Sequence, residues 1–206
     1  MQRLLDVLAS GVHDTKNQLF FAEAQIAEAE AKHGLDLSEA RYAIETAATR
    51  LSRTLTAYHL LRNDATLAVV PVVVADLCDE VVLDQRKHLG HAGIELSHEC
   101  SVRDEWPLDR DLITDVLNNA VQNAGRHARS RVHLRAWNDG ENLCFRVEDD
   151  GEGYADPDGG RSTGLIVAER VASLHERHGR CGSMHLANGQ AAGGDLGGAI
   201  FELRLP

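Results

Sequence analysis

Apolar or small residues recur at Leu5, Leu8, Val12, Thr15, Leu19, Ala22, Ile26 and Ala29, in alternating steps of three and four. That is the heptad spacing of a long helix with one narrow greasy stripe. Lys32-His-Gly34 then supplies a C-terminal stop, Asp36 or Ser38 a new cap, and Leu37, Ala40, Ile44, Ala47, Leu51, Thr54, Tyr58 and Leu61 repeat the stripe. The pattern predicts an antiparallel helical hairpin over residues 1–63. Two narrow stripes bury too little to stand alone, so the hairpin is expected to pair with a second copy as a four-helix bundle in a homodimer.

Asn63-Asp64-Ala-Thr66 reads as a junction, and from residue 67 onward the periodicity changes. A helix is expected from about Val74 to Leu89, a strand near Gly93 to Ser97, and a helix opened by Pro107 and Asp109 that runs through His127. Strands at Arg131 to Trp137 and Leu143 to Glu148 flank Asn138-Asp-Gly-Glu141, whose Asp-Gly step marks a hairpin turn. A helix from Gly164 to His178 and strands near Met184 to Ala187 and Ala199 to Leu205 complete the set. This order describes an α+β fold, a sandwich with helices on one face of a mixed sheet.

Composition excludes several classes of function. The 206 residues carry a formal net charge of −11, with acids spread along the chain, which disfavours nucleic acid and anionic membrane surfaces as partners. The longest apolar stretch, Leu67 to Leu77, is interrupted by Pro71 and falls well short of a bilayer span, so no membrane insertion is expected. Asp6 stands where a signal peptide would need its apolar run, and the cytoplasm is the expected location. Cys78, Cys100, Cys144 and Cys181 form no C-x-x-C pair, and the histidine pairs His88/His91 and His175/His178 lack the glutamate of H-E-x-x-H.

Three short blocks carry chemistry. The stripe leaves His13 just off the seam, facing water with Asp14 and Asn17 beside it. An exposed imidazole can attack a phosphoryl group when a neighbouring carboxylate takes its other proton, the role assigned to Asp14. Asn17 is placed to orient a water for the reverse reaction. Within an otherwise apolar helical pattern, Asn119 and Asn123 fall on one face, four residues apart, with Asn118 adjacent. Asparagine is a mediocre helix former, so a use is expected, such as an oxygen ligand for a Mg²⁺ that bridges phosphates. Val147-Glu-Asp-Asp-Gly-Glu-Gly153 ends a strand in an acidic turn, with Gly151 and Gly153 letting the backbone approach a flat ligand and Asp149 available to accept from an adenine amino group. Downstream, Gly160-Arg-Ser-Thr-Gly164 opens a helix whose first N–H groups can take phosphate, with Arg126 and Arg161 as the nearby cations.

In this order the blocks resemble the transmitter core of sensor histidine kinases, a phosphoacceptor hairpin followed by the ATP-binding fold shared with gyrase, Hsp90 and MutL. His13 to Leu19 looks like the phosphoacceptor box, and Asn119 to His127 like the asparagine box with Asn123 on the family's Mg²⁺ ligand. Val147 to Gly153 is similar to the first glycine box, with Asp149 on the adenine-binding aspartate, and Gly197 to Pro206 to the closing glycine motif and last strand. The second glycine box is reduced to Ser162-Thr-Gly-Leu-Ile-Val167, with a short lid from Tyr154 to Thr163.

The resemblance implies a soluble kinase that binds ATP and Mg²⁺ at residues 67–206, phosphorylates His13 and passes the phosphate to the receiver domain of a response regulator. With twelve residues before His13, input is expected from a separate sensor protein. The reduced box keeps open a histidine phosphotransferase or receiver phosphatase with a degenerate ATP site. An ATP-binding regulator of the anti-sigma kinase type, with His13 incidental, is the third reading.

Overall fold

A computed structural model of the chain describes residues 2–60, 66–155, 162–189 and 194–206. Contacts divide the chain into two units, 1–65 and 66–206.

The first unit holds α1 (Gln2–His33) and α2 (Ser38–Leu60). Gly34 ends α1 in the left-handed region at φ 63°, where a side chain would be strained. Asp36 Oδ1 accepts the Ser38 backbone N–H at 3.1 Å, satisfying a donor at the start of α2. Arg41 ties the two helices together, donating to Glu23 Oε1 at 2.7 Å and to Glu30 Oε2 at 3.2 Å. The stripe residues Leu19, Ala22, Ile26 and Ala29 are only half-buried, as are Leu37, Ile44, Ala47 and Leu51. Phe21 lies off the stripe and is 67% exposed.

In the second unit, β2 (Glu95–Cys100), β4 (Arg131–Asp139), β5 (Asn142–Asp149), β9 (Ala199–Leu205) and β8 (Ser183–Asn188) form one sheet in the order β2-β4-β5-β9-β8. Only β2 and β4 run parallel; the other pairs are antiparallel. Helices α3 (Val74–His91), α4 (Arg110–His127) and α5 (Thr163–Leu174) pack on it. Val121 and Leu117 of α4, Leu134 of β4, Phe145 of β5 and Leu203 of β9 have no exposed surface. Burying a phenyl ring of this kind stabilises the fold by roughly 2–3 kcal/mol.

Side chains alternate along a strand, so Leu143, Phe145 and Val147 share a face with Asp149. The apolar run that builds the core therefore delivers Asp149, 2% exposed, to the same face. The alternate residues of β5 and β9 form an ionic network in which Arg146 Nη2 donates to Glu202 Oε2 at 2.6 Å and Arg146 Nη1 to Glu148 Oε1 at 3.4 Å. Arg146 also lies over the Trp137 ring, 5.3 Å from its centroid.

Three stretches differ from the sequence expectation. Pro107 does not open a helix: β3 (Glu105–Asp109) pairs antiparallel with β1 (Val69–Val73), Pro107 opposite Pro71, and α4 starts at Arg110. A two-strand ribbon tolerates proline because each strand has an edge whose N–H groups need no partner. Asp109 is the true cap, its Oδ1 accepting the Leu112 N–H at 3.1 Å while its Oδ2 takes that of Ala68 at 2.8 Å. The strand expected near Gly93 to Ser97 lies at Glu95–Cys100, because Gly93 takes a positive φ of 74° in the preceding turn. Finally, α5 stops at Leu174 short of His178, and β6 (Glu176–Arg177) and β7 (Arg180–Cys181) form a tight hairpin with His178 at φ 53° and Gly179 at φ 75°. Both central residues are left-handed, as the hairpin turn requires.

Candidate functional site

Asp149 ends β5 and is held from two sides. Its Oδ1 accepts the backbone N–H of Gly151 at 2.8 Å and of Ala199 at 3.1 Å, and its own carbonyl accepts that of Gly198 at 2.9 Å. The first glycine turn and the closing glycine motif thus meet on one carboxylate. A Cβ on Gly198 would fall 2.3 Å from Asp149 Oδ1, and one on Gly151 would fall 2.2 Å from the His127 carbonyl oxygen. Neither position has room for a side chain.

Asp150, which the sequence reading left without a role, anchors this turn to the end of α4. Its carboxylate accepts the backbone N–H groups of Arg129 at 2.8 Å, Ser130 at 3.0 Å and Arg131 at 3.0 Å, and the Ser130 hydroxyl at 2.6 Å. Partial burial opposes ionisation, but the four donors outweigh it and hold the carboxyl well below the usual carboxylate range. A doubled acid before the glycine was the signal available in the sequence.

On α4 the asparagines divide. Asn118 faces α3, accepting from Gln85 Nε2 at 2.9 Å and donating to Asp84 Oδ2 at 3.5 Å. Asn119 is 7% exposed and meets the start of α5: a Cβ on Gly164 would lie 2.2 Å from its Nδ2. Asn123 is half-buried, and its Oδ1 accepts from the exposed Arg126 Nη1 at 3.4 Å. Gly164 and Gly151 therefore touch α4 at Asn119 and His127, eight residues or about 12 Å apart along the helix axis. The Ser162 side chain makes no cap for α5, whose Leu165 and Ile166 N–H groups donate instead to the Ser162 carbonyl at 3.0 and 3.1 Å. Arg161 lies outside the described residues.

Beyond Gly153, at φ 80°, the chain turns through Tyr154, which the Asn188 side chain grips by both main-chain groups: Oδ1 accepts its N–H at 2.7 Å and Nδ2 donates to its carbonyl at 3.0 Å. Burial, with the Asp149 charge adding to it, pushes the Tyr154 phenol up to about 12. Sequence reasoning missed Asn188, since a single asparagine at a strand end carries no distinguishing signal.

The arrangement has the parts of a nucleotide site. A buried carboxylate and two glycines without room for a Cβ form one end, Asn119 and an α5 start without a side-chain cap form the other, and Asn123 and Arg126 follow Asn119 along α4 toward the first. Amide oxygens and helix N–H groups suit phosphates and a hard cation. Among the described residues, no group of three or more His, Cys, Asp or Glu is placed to hold a metal ion. A hollow lined by Trp106, Glu141, Arg177, His178, Arg180 and Pro206 shares no residue with this arrangement.

In the first unit, His13, Asp14 and Asn17 fall within α1. Asp14 and Asn17 are exposed, and the His13 side chain lies outside the described residues. The Thr15 hydroxyl donates to the Gly11 carbonyl at 2.8 Å, so it is spent on the helix itself. No helix among the described residues is long and apolar enough to cross a membrane.

The fold of the second unit is an α+β sandwich of the ATPase type. Residues 108–206 match the family described as histidine kinase-, DNA gyrase B- and HSP90-like ATPase. Among solved structures it is similar to full-length ShkA in complex with AMPPNP, at 21% identity and a TM-score of 0.65, over 98% of this chain and 45% of that one. The histidine kinase AdeS of Acinetobacter baumannii is 16% identical with a TM-score of 0.62, covering 92% of this chain and 95% of its own. The ATP binding domain of PrrB from Mycobacterium tuberculosis is 26% identical with a TM-score of 0.55, covering 68% of this chain and 97% of its own. The chain thus spans less than half the length of ShkA. No curated protein matches it in sequence.

Proposed function

We propose that the chain is a histidine kinase of a two-component system, binding Mg-ATP in the second unit, phosphorylating His13 in the first, and donating the phosphate to a receiver aspartate of a response regulator. The observation that carries the reading is the convergence of both glycine segments on Asp149 Oδ1, with the first of them, at Gly151, set against the end of α4 at His127. When bound, ATP supplies the phosphoryl group.

The residues fit that cofactor. Asp149 already spends Oδ1 on two backbone N–H groups, which fixes its orientation and reserves Oδ2 for an adenine amino group. Gly151 and Gly198 clear the way for a flat base. Asn119, Asn123 and Arg126 stand where phosphates and Mg²⁺ would be held, Asn123 as the metal ligand, and Gly164 keeps the start of α5 against Asn119. That contact favours a working phosphate grip despite the reduced second glycine box. Positioning and charge neutralisation then carry most of the catalysis. On α1, Asp14 takes the proton from the far nitrogen of His13 and leaves the attacking nitrogen free.

Half-buried stripes on α1 and α2, together with exposed Phe21, support a homodimeric four-helix bundle. On this reading the protein works in the cytoplasm with input from a separate sensor protein; among the described residues no helix is long and apolar enough to cross a membrane. Mixing the phosphorylated protein with an isolated receiver domain tests the relay: phosphate moves to the receiver within minutes. Retention of the phosphate on the kinase, with every receiver tried, contradicts the transfer step.

A further inference from the structure

We infer that Asn188 is a positioning residue of the nucleotide site, an amide clasp that holds the Gly153–Tyr154 turn against Asp149. The inference rests on the nucleotide-binding reading given above and adds to it a residue from a different strand.

Asn188 is the last residue of β8, paired in register with Ala199 of β9. Ala199 is the residue whose N–H reaches Asp149 Oδ1 at 3.1 Å, so the clasp stands opposite a strut of the base site. Next to it, Gly189 N–H donates to the Gly198 carbonyl at 2.7 Å and Gly198 N–H to the Asp149 carbonyl at 2.9 Å. On its other side the Asn188 amide exchanges two hydrogen bonds with one residue, Tyr154, at 2.7 and 3.0 Å. Two residues trading both bonds is how backbones pair in an antiparallel ladder; here a side chain supplies one of the partners. The path from Asp149 through Gly198, Gly189, Asn188 and Tyr154 returns to the turn that begins at Gly151. It is a closed ring.

The side chain suits the task for a chemical reason. Only an amide offers an acceptor and a donor at the spacing of a peptide group: aspartate lacks the donor and serine lacks the reach. The turn is also fitted to it, because a Cβ on Gly153 would fall 2.6 Å from Asn188 Oδ1 and its φ of 80° disfavours any side chain. A turn ordered in advance spares the ligand that ordering, so the clasp acts on affinity for the base and leaves the phosphates alone.

The test is calorimetric titration of the full chain and its N188A and N188D variants with adenosine, ADP and Mg-ATP, alongside hydrogen exchange at the Tyr154 amide. In N188A the Tyr154 amide loses protection, and Kd rises about five- to tenfold by the same factor for all three ligands. N188D is nearly isosteric, keeps the acceptor and removes the donor, and loses at least as much. Wild-type affinity in both variants, or a loss that grows with the number of phosphates, overturns the role of Asn188 while leaving nucleotide binding intact. A wild-type chain that binds none of the three overturns the nucleotide reading and the clasp together.

Discussion

A Cβ built on Gly164 lies 2.2 Å from Asn119 Nδ2, so α5 begins in contact with the asparagine face of α4. Asn119 is buried and has little room to yield. Gly164→Ala is therefore expected to push the start of α5 away from α4, raising Kd for Mg-ATP roughly tenfold and for adenosine much less, with about 1 kcal/mol lost in stability. Titration with both ligands and a denaturant melt measure this; equal losses for adenosine and Mg-ATP contradict it.

Asp149 has two separable duties. Its Oδ1 satisfies the Gly151 and Ala199 N–H groups, and an asparagine can keep that contact while its amide nitrogen offers a donor in place of the second acceptor. Asp149→Asn should fold with nearly wild-type stability and bind ATP at least 100-fold more weakly. Asp149→Ala should also lose about 2–4 kcal/mol, because two N–H groups are left without their partner. Chemical denaturation and calorimetry of the two variants separate the duties.

Asp150 gathers four donors from residues 129–131 and so ties the end of α4 to the glycine turn. Its folded pKa is depressed below the ordinary 3.8, so its stabilisation is full above that value and is lost as pH falls further toward the folded pKa. Asp150→Ala is expected to cost about 1–2 kcal/mol and to flatten the acid limb of the stability profile below pH 4. Urea melts across pH 2–6 in wild type and variant read this directly.

His175 turns inward at the end of α5. Its Nε2 accepts the Asp109 backbone N–H at 3.0 Å while its Nδ1 faces the Val171 carbonyl at 2.8 Å, which fixes the neutral Nδ1–H tautomer. Burial lowers its pKa from the ordinary 6.5, against the opposing pull of the Val171 carbonyl and the Asp109 charge. The unfolded chain takes up this proton first. Stability from this group is therefore complete above pH 6.5 and declines as pH falls below it, and His175→Gln should remove that slope. An unchanged slope between pH 5 and 7 in the variant contradicts the assignment.

How much of this was legible in the sequence depended on whether the signal was local. Gly34, Asp36 and Ser38 mark the ends of α1 and α2 because stops and caps act within a few residues. Asp139-Gly140 marks the β4–β5 turn for the same reason, with Gly140 at φ 64°. The β1–β3 ribbon was not legible, since it joins segments about 35 residues apart and places a proline in each. The end of α5 was hidden because His175 looks helical until Asp109, far away in sequence, claims its ring. At the site, Asp149, Gly151 and Asn119 stood out as residue types that a helix or strand does not favour. Asp150 and Asn188 did not, because their role lies in main-chain partners that only the fold brings near.

The central claim is that a nucleotide held on Asp149 phosphorylates His13. Incubation with γ-labelled Mg-ATP, followed by acid and alkaline treatment, tests it most directly. Acid-labile, alkali-stable label is expected on the wild-type chain and none on His13→Gln or Asp149→Asn. An unlabelled wild type, or equal label on His13→Gln, would contradict it.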